Sequence, residues 1–365
     1  MTLSEHAVLQ QGDWSNEEPG NTGATSGSSD AAQDTPVEHP AGWRNAARFI
    51  FLGPDGLRPG WGLLLFLLIV LSLAAGIAFA AQQLHPRPVQ TAQQRKAEIT
   101  APQTPKSILI AEGISLSVVA LATWIMGRIE RRPIGRYGFG GQRRLWPFVS
   151  GLLWGFAFLS VLVGALWKAR LLVFDGRLLF GAKAIELGAV WLFGFLLVGF
   201  FEESLLRGYL QYTLSRGIAS LCEMLFEVKN GEALGFWIAA LLLSFFFGAS
   251  HGNNPGESPI GLVSAGLVGA IFCLTLWKTG SLWWALGFHA AWDWAQSFVF
   301  GVADSGMMVR DHLFGTHPVG KILLSGGATG PEGSALVLPV LAVVALVVVW
   351  TLPGREWAIG GKASA

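Results

Sequence analysis

Six side chains in this 365-residue chain have the types and spacing to move protons. Glu202, Glu203 and Arg207 lie in EESLLR, His251 closes FFFGASH, and His289 and Asp293 stand four apart in HAAWD. A carboxylate and two imidazoles sharing a dry cavity can activate water. The Glu takes a proton, a His beside it shares that proton, and a second His or an amide holds an oxyanion. Glu203 and Arg207 are four apart, share a helical face and can pair. Glu202 is turned about 100° from Glu203 and is free to point elsewhere. The pair accounts for two of these charges; Glu202 is the one left for chemistry.

Each group has a plainer reading alone. Glu202 could snorkel to water beside a buried Glu–Arg pair. His251, four residues after Phe247, could be an interfacial histidine. His289 and Asp293 could satisfy each other between helices. These readings weaken because three separate apolar segments each bring an ionisable stripe.

The segments themselves are membrane-like. The chain is 52% hydrophobic and 13% charged, against about 25% charged in soluble domains. A bilayer needs about 20 apolar residues in helix. Eight windows meet or approach that length: 61–82, 107–127, 146–167, 187–211, 234–252, 260–277, 281–301 and 335–352. The expected fold is an all-α membrane protein, a polytopic bundle of about eight transmembrane helices. Ionisable groups inside such helices cost roughly 2.5–3.5 kcal/mol each on insertion scales. Glu112, Glu202, Glu203, Arg207, His289 and Asp293 should therefore face protein or water. The helix with Glu202 is expected to run on through Tyr209 to Leu214, so that Glu202 reaches the depth of His251, with 215–230 an interfacial loop or amphipathic piece.

Residues 1–40 are polar and Ser/Gly-rich and are expected to be a disordered tail; they do not have the pattern of a signal peptide. Residues 41–365 form the transmembrane domain. With the N-terminus inside, 15 of the 25 Lys and Arg fall on the inner side, Arg128–Arg144 being the main cluster. That favours both termini inside. Cys222 and Cys273 make neither a disulfide framework nor a metal pair and are expected to be buried. Met307, Met308 and the Trp clusters read as packing or interface anchors. The net charge of +1 gives no reason to expect nucleic acid as a partner. No HExxH occurs. Ser250 in GASH could suggest a rhomboid-type serine nucleophile, but that leaves Glu202 and Arg207 unexplained.

The ordered set EESLLR (202–207), FGASH (247–251) and HAAWD (289–293) resembles the EExxxR, FxxxH and HxxxN motifs of the CAAX-protease and bacteriocin-processing (CPBP) family, which includes Ras-converting CAAX endopeptidases and Abi-type proteins. The resemblance covers about 185–300, the catalytic core. It implies an intramembrane endopeptidase in which Glu202 and His251 activate water, His289 and residue 293 hold the oxyanion, and Glu203, Arg207 and Phe247 support the site. It implies a membrane-associated protein or peptide substrate within a lipid bilayer, in a multi-pass protein of a prokaryotic cytoplasmic membrane. Both metal and glutamate mechanisms fit the family, so the resemblance leaves the cofactor open. Glu202, His251, His289 and Asp293 are four candidate zinc ligands. Asp293 replaces the family's usual Asn; an ionised Asp donates no hydrogen bond, which admits a protonated Asp293, an Asp293 that orients His289, a metal site or a pseudoenzyme. The alternatives are a non-catalytic immunity or scaffold protein on the same fold, and a proton- or ion-coupled transporter.

Overall fold

Long apolar stretches that open on proline and close on glycine or a charged turn fold into helices here. A computed structural model describes residues 50–354 apart from 54, 55, 87, 89, 142, 143, 227, 229 and 230; the expected polar tail, 1–40, lies outside the described residues. A two-residue hairpin, β1 (Leu52–Gly53) with β2 (Gly56–Leu57), leads into α1 (Pro59–Leu84). There follow α2 (Ala92–Thr100), α3 (Pro105–Ile129), α4 (Leu145–Lys168), α5 (Gly181–Glu203), a π-helical turn (Ser204–Leu210), α6 (Gln211–Phe226), α7 (Gly231–Ser250), α8 (Pro259–Thr279), α9 (Trp283–Trp294), a second π turn (Ala295–Val299), α10 (Ile322–Ser325) and α11 (Val337–Thr351). Thr104 caps α3 in a capping box with Ser107, and Ser258 caps α8, each just before a proline at the first helical position.

Among the described residues six helical runs are long and apolar enough to cross a membrane: 59–84, 105–129, 145–168, 181–226, 231–253 and 259–279. This is a multi-pass integral membrane protein. The other two windows expected as spans are shorter. Helix α9 has 12 residues and its π turn adds 5 more to Val299, about 25 Å together at 1.5 Å per residue, and α11 has 15, about 22 Å. For α9 the reason is its surroundings: every residue from Trp284 to Asp293 is buried. It is encased by other helices and need not match the bilayer.

Helix α4 holds α9 by backbone contact. A Cβ on Gly151 would meet the Trp284 carbonyl at 2.2 Å, one on Gly155 the Phe288 carbonyl at 2.3 Å, and one on Gly287 the Phe148 carbonyl at 2.1 Å. Only glycine permits this approach, as at other close helix crossings in membranes. Around it pack Phe158, Leu162, Phe272, Trp284, Phe288 and Leu341, joining α4, α8, α9 and α11. Outward faces carry exposed Leu71, Phe79, Leu241 and Phe245, as suits helices in lipid.

The fold is not purely helical. Strand β3 (Leu172–Arg177) pairs antiparallel with β4 (Phe314–Pro318), from Leu172 opposite Pro318 to Arg177 opposite Phe314, with an irregularity between Phe174 and Gly176. This ribbon joins the segments on either side of the motif-bearing helices. At another point all three tyrosines of the chain meet. Tyr209 stacks on Phe66 at 4.2 Å, and Tyr137 lies 5.3 Å from both Tyr209 and Tyr212. Tyr209 donates to Glu130 Oε1 at 2.8 Å, Arg132 Nε lies 3.3 Å from Glu130 Oε2, and Arg132 donates to the Tyr212 hydroxyl. Burial pushes the Tyr137 hydroxyl above its usual range, with Glu130 adding to the effect. The loop after α3 is thereby tied to the π turn after Glu203. Both cysteines are free and buried.

Candidate active site

The helix bearing Glu202 does continue past Leu214, reaching Phe226 as one run through the π turn. A straight helix of its 46 residues would be about 69 Å long, more than twice the hydrocarbon thickness, so α6 carries the chain beyond the span. The π turn begins directly after Glu203 and contains Arg207; such wide turns recur at functional sites. Ser204 Oγ donates to the Phe200 carbonyl at its start.

Glu203 and Arg207 pair as expected. Arg207 Nη1 lies 2.9 Å from Glu203 Oε1, and both side chains are sealed from solvent. The guanidinium lies 4.4 Å from the Phe247 ring centre and rests on Gly269, where a Cβ would come within 2.4 Å of Arg207 Nη2. The pair does more than neutralise itself, which the spacing alone did not indicate. The same Glu203 Oε1 lies 3.2 Å from His289 Nδ1. An ionised Glu203 accepts only, so Nδ1–H donates to it and the ring is fixed in orientation.

That leaves His289 Nε2 facing the cavity. Glu202 Oε2 and Asp293 Oδ2 both lie 3.5 Å from it. His251 is held by its own helix: Nδ1 lies 2.7 Å from the Phe247 carbonyl. A carbonyl only accepts, so Nδ1 carries the hydrogen and Nε2 is left to accept a proton. The Phe247 ring stands edge-on to both imidazoles, 4.7 Å from His251 and 6.3 Å from His289.

Glu202, His251, His289 and Asp293 line one cavity of about 280 Å³. Phe195, Val198, Phe272 and Phe288 supply apolar walls. Further polar groups reach it that the motif reading did not assign: Glu112, Gln103, Asn254, Ser297, Asp304, Ser305 and Glu332. Glu112 had a signal, as a carboxyl interrupting an apolar window. Asp304 and Glu332 had none, for they sit in the irregular segment after α9. Glu332 ties that segment down: Trp292 Nε1 donates to its Oε1 at 2.9 Å, and Ser305 Oγ to its Oε2 at 2.9 Å. Ser297 donates to Asp304 at 3.1 Å. Burial pushes the Asp304 carboxyl well above its usual range, with Asp293 and Glu332 adding to it.

A zinc ion takes three or four converging ligands at about 2 Å. Among the described residues, no group of three or more His, Cys, Asp or Glu is arranged to hold a metal ion. Nδ1 of His251 and Nδ1 of His289 are both hydrogen-bonded, which leaves each Nε2 as the nitrogen that could ligate. The four candidate ligands do not converge as a zinc site in this arrangement.

Residues 184–295 match the family described as Type II CAAX prenyl endopeptidase Rce1-like. Over these residues, under a third of the chain, the protein is similar to that family. The match spans α5 to α9 and contains all three motifs, while α1, α3, α4 and the segment after α9 lie outside it. No curated protein and no solved structure matches the chain. The likeness to a CAAX prenyl endopeptidase implies a peptidase acting on a peptide or protein in the membrane.

Proposed function

We propose that this protein is an intramembrane endopeptidase of CAAX/CPBP type that hydrolyses a peptide bond with a Glu/His-activated water, in the cytoplasmic membrane of a prokaryote. The observation that carries the reading is the meeting of Glu202 and Asp293 at Nε2 of His289 in a cavity also lined by His251.

A water between Glu202 and His251 gives a proton to the carboxylate, with the free Nε2 of His251 sharing it. The hydroxide attacks the scissile carbonyl. His289, protonated on both nitrogens, keeps Nδ1–H on Glu203 and turns Nε2–H toward the oxygen on which charge develops, its ring held from behind by Glu203 and, through Glu203, by Arg207. Asp293 joins it as a protonated donor, in the place of the family's amide. The apolar walls exclude competing water and strengthen these interactions. A carboxylate ready to take a proton and a positioned donor for the oxyanion are the two parts that water-driven amide hydrolysis requires.

The test is Glu202→Gln in protein purified into detergent or lipid vesicles, with a farnesylated Cys-aliphatic-aliphatic-Met peptide and its unprenylated counterpart as probes. Cleavage is expected to disappear while the folded protein persists. Cleavage that survives the substitution refutes the mechanism. A folded wild type that cuts neither probe favours a non-catalytic protein on this fold.

A further inference from the structure

We propose that Glu112 is a second catalytic carboxyl of this site, the acid that protonates the departing amine while Glu202 acts as the base. The proposal rests on the hydrolytic reading above and adds a residue from outside the family-matched core.

Glu112 lies two turns inside the apolar helix α3, between Ala111 and Gly113. A carboxyl in such a helix is costly and ordinarily paired, as Glu203 is with Arg207. Among the described residues no hydrogen bond or ion pair engages the Glu112 carboxyl. Its place in the packing is well defined. One turn earlier, Ile108 seats against Gly194 of α5, where a Cβ would meet Ile108 Cγ2 at 2.9 Å, and packs with Leu187, Trp191 and Phe195. One turn onward from that contact are Glu112 on α3 and Val198 on α5, and Glu202 is one turn beyond Val198. All three line the catalytic cavity, and the Glu112 and Glu202 charges act on each other.

The other titratable groups facing that cavity are His251, His289, Asp293, Asp304 and Glu332; among the described residues no Lys or Arg lines it. Carboxyls facing one another across such a space hold a proton between them more readily than none. Glu202 and His289 are already committed to the water and oxyanion side. Glu112, approaching from another helix and with no hydrogen bond or ion pair among the described residues, is the group available to the nitrogen.

The step balances. Water loses a proton to the Glu202 carboxylate, and its oxygen bonds to the carbonyl carbon. The C–N bond then breaks as the Glu112 carboxyl gives its proton to nitrogen. The products are a carboxylic acid and an amine, leaving Glu202 protonated and Glu112 ionised. One proton passed from Glu202 to Glu112 through water resets the pair.

The experiment compares the farnesylated peptide with its thioester analogue, in which sulfur replaces the scissile nitrogen, since a thiolate leaves without needing a proton. Glu112→Gln is expected to lower kcat on the amide by about 10²–10³-fold, with KM within about threefold of wild type. The thioester should be cut at close to the wild-type rate. Equal loss on both substrates, or loss on neither, overturns the proposal. Glu202→Gln separates the two claims. If it abolishes both cleavages while Glu112→Gln changes neither, only the role of Glu112 falls; if it leaves amide cleavage intact, the hydrolytic reading falls with it.

Discussion

Gly155→Ala tests whether α4 sets the position of the catalytic imidazole, without replacing a residue that lines the cavity. The new Cβ would lie 2.3 Å from the Phe288 carbonyl oxygen, and both the Cα and the carbonyl carbon of Phe288 lie 3.0 Å away. Carbon–oxygen contacts normally begin near 3.3 Å, so α9 must retreat by about 1 Å. Phe288 immediately precedes His289, so the retreat moves the ring relative to Glu202 and Glu203. A displacement of about 1 Å at a reacting group costs on the order of 10²-fold in rate. The overpacking itself costs about 1–3 kcal/mol of stability. Gly164→Ala on the same helix is the control, since a Cβ there meets nothing within 4 Å. The assay is kcat/KM on the farnesylated peptide, with thermal unfolding in the same detergent. Loss of activity in Gly155→Ala but not Gly164→Ala is expected. A folded Gly155→Ala protein within about threefold of wild-type kcat/KM would refute the argument.

Arg207→Leu should destabilise the protein by about 3–5 kcal/mol, since Glu203 is then buried without its cation; adding Glu203→Gln should recover much of the loss, and a double-mutant cycle in thermal unfolding that shows simple additivity counts against the pairing. Asp293→Asn should stay within about tenfold of wild type while Asp293→Ala loses about 10²-fold or more, because the amide restores the donor facing the oxyanion; its activity should also persist to higher pH, as the amide needs no added proton. An inactive but folded Asn variant would assign the carboxyl itself a role. Asp304 holds its proton more tightly folded than unfolded, so its contribution to stability falls as pH rises above about 4. Asp304→Asn should flatten the fall in unfolding midpoint over that range, and identical pH profiles for the two proteins would contradict the buried carboxyl.

The motif residues were legible because chemistry leaves a local trace. Charges are conspicuous in apolar windows, and the four-residue spacings of Glu203–Arg207 and His289–Asp293 correspond to direct contacts. The prolongation of α5 followed from matching the depth of Glu202 to that of His251. Sequence did not reveal that α9 is a short helix buried all round, since an apolar run reads alike whether its neighbours are lipid or protein. Nor did it show Glu203 reaching His289, a contact between helices that no spacing encodes. Asp304, Glu332 and the pairing of β3 with β4 depend on irregular chain, where periodicity carries no signal.

The meeting of Tyr137, Tyr209 and Tyr212 has a practical consequence. These are all the tyrosines in the chain, and two of them flank the end of the turn that carries Arg207. Fluorotyrosine incorporated throughout the protein would give fluorine resonances from this one neighbourhood alone, with no engineered label. Substrate or inhibitor binding that shifts the turn would be visible there against a silent background, even in a full detergent micelle.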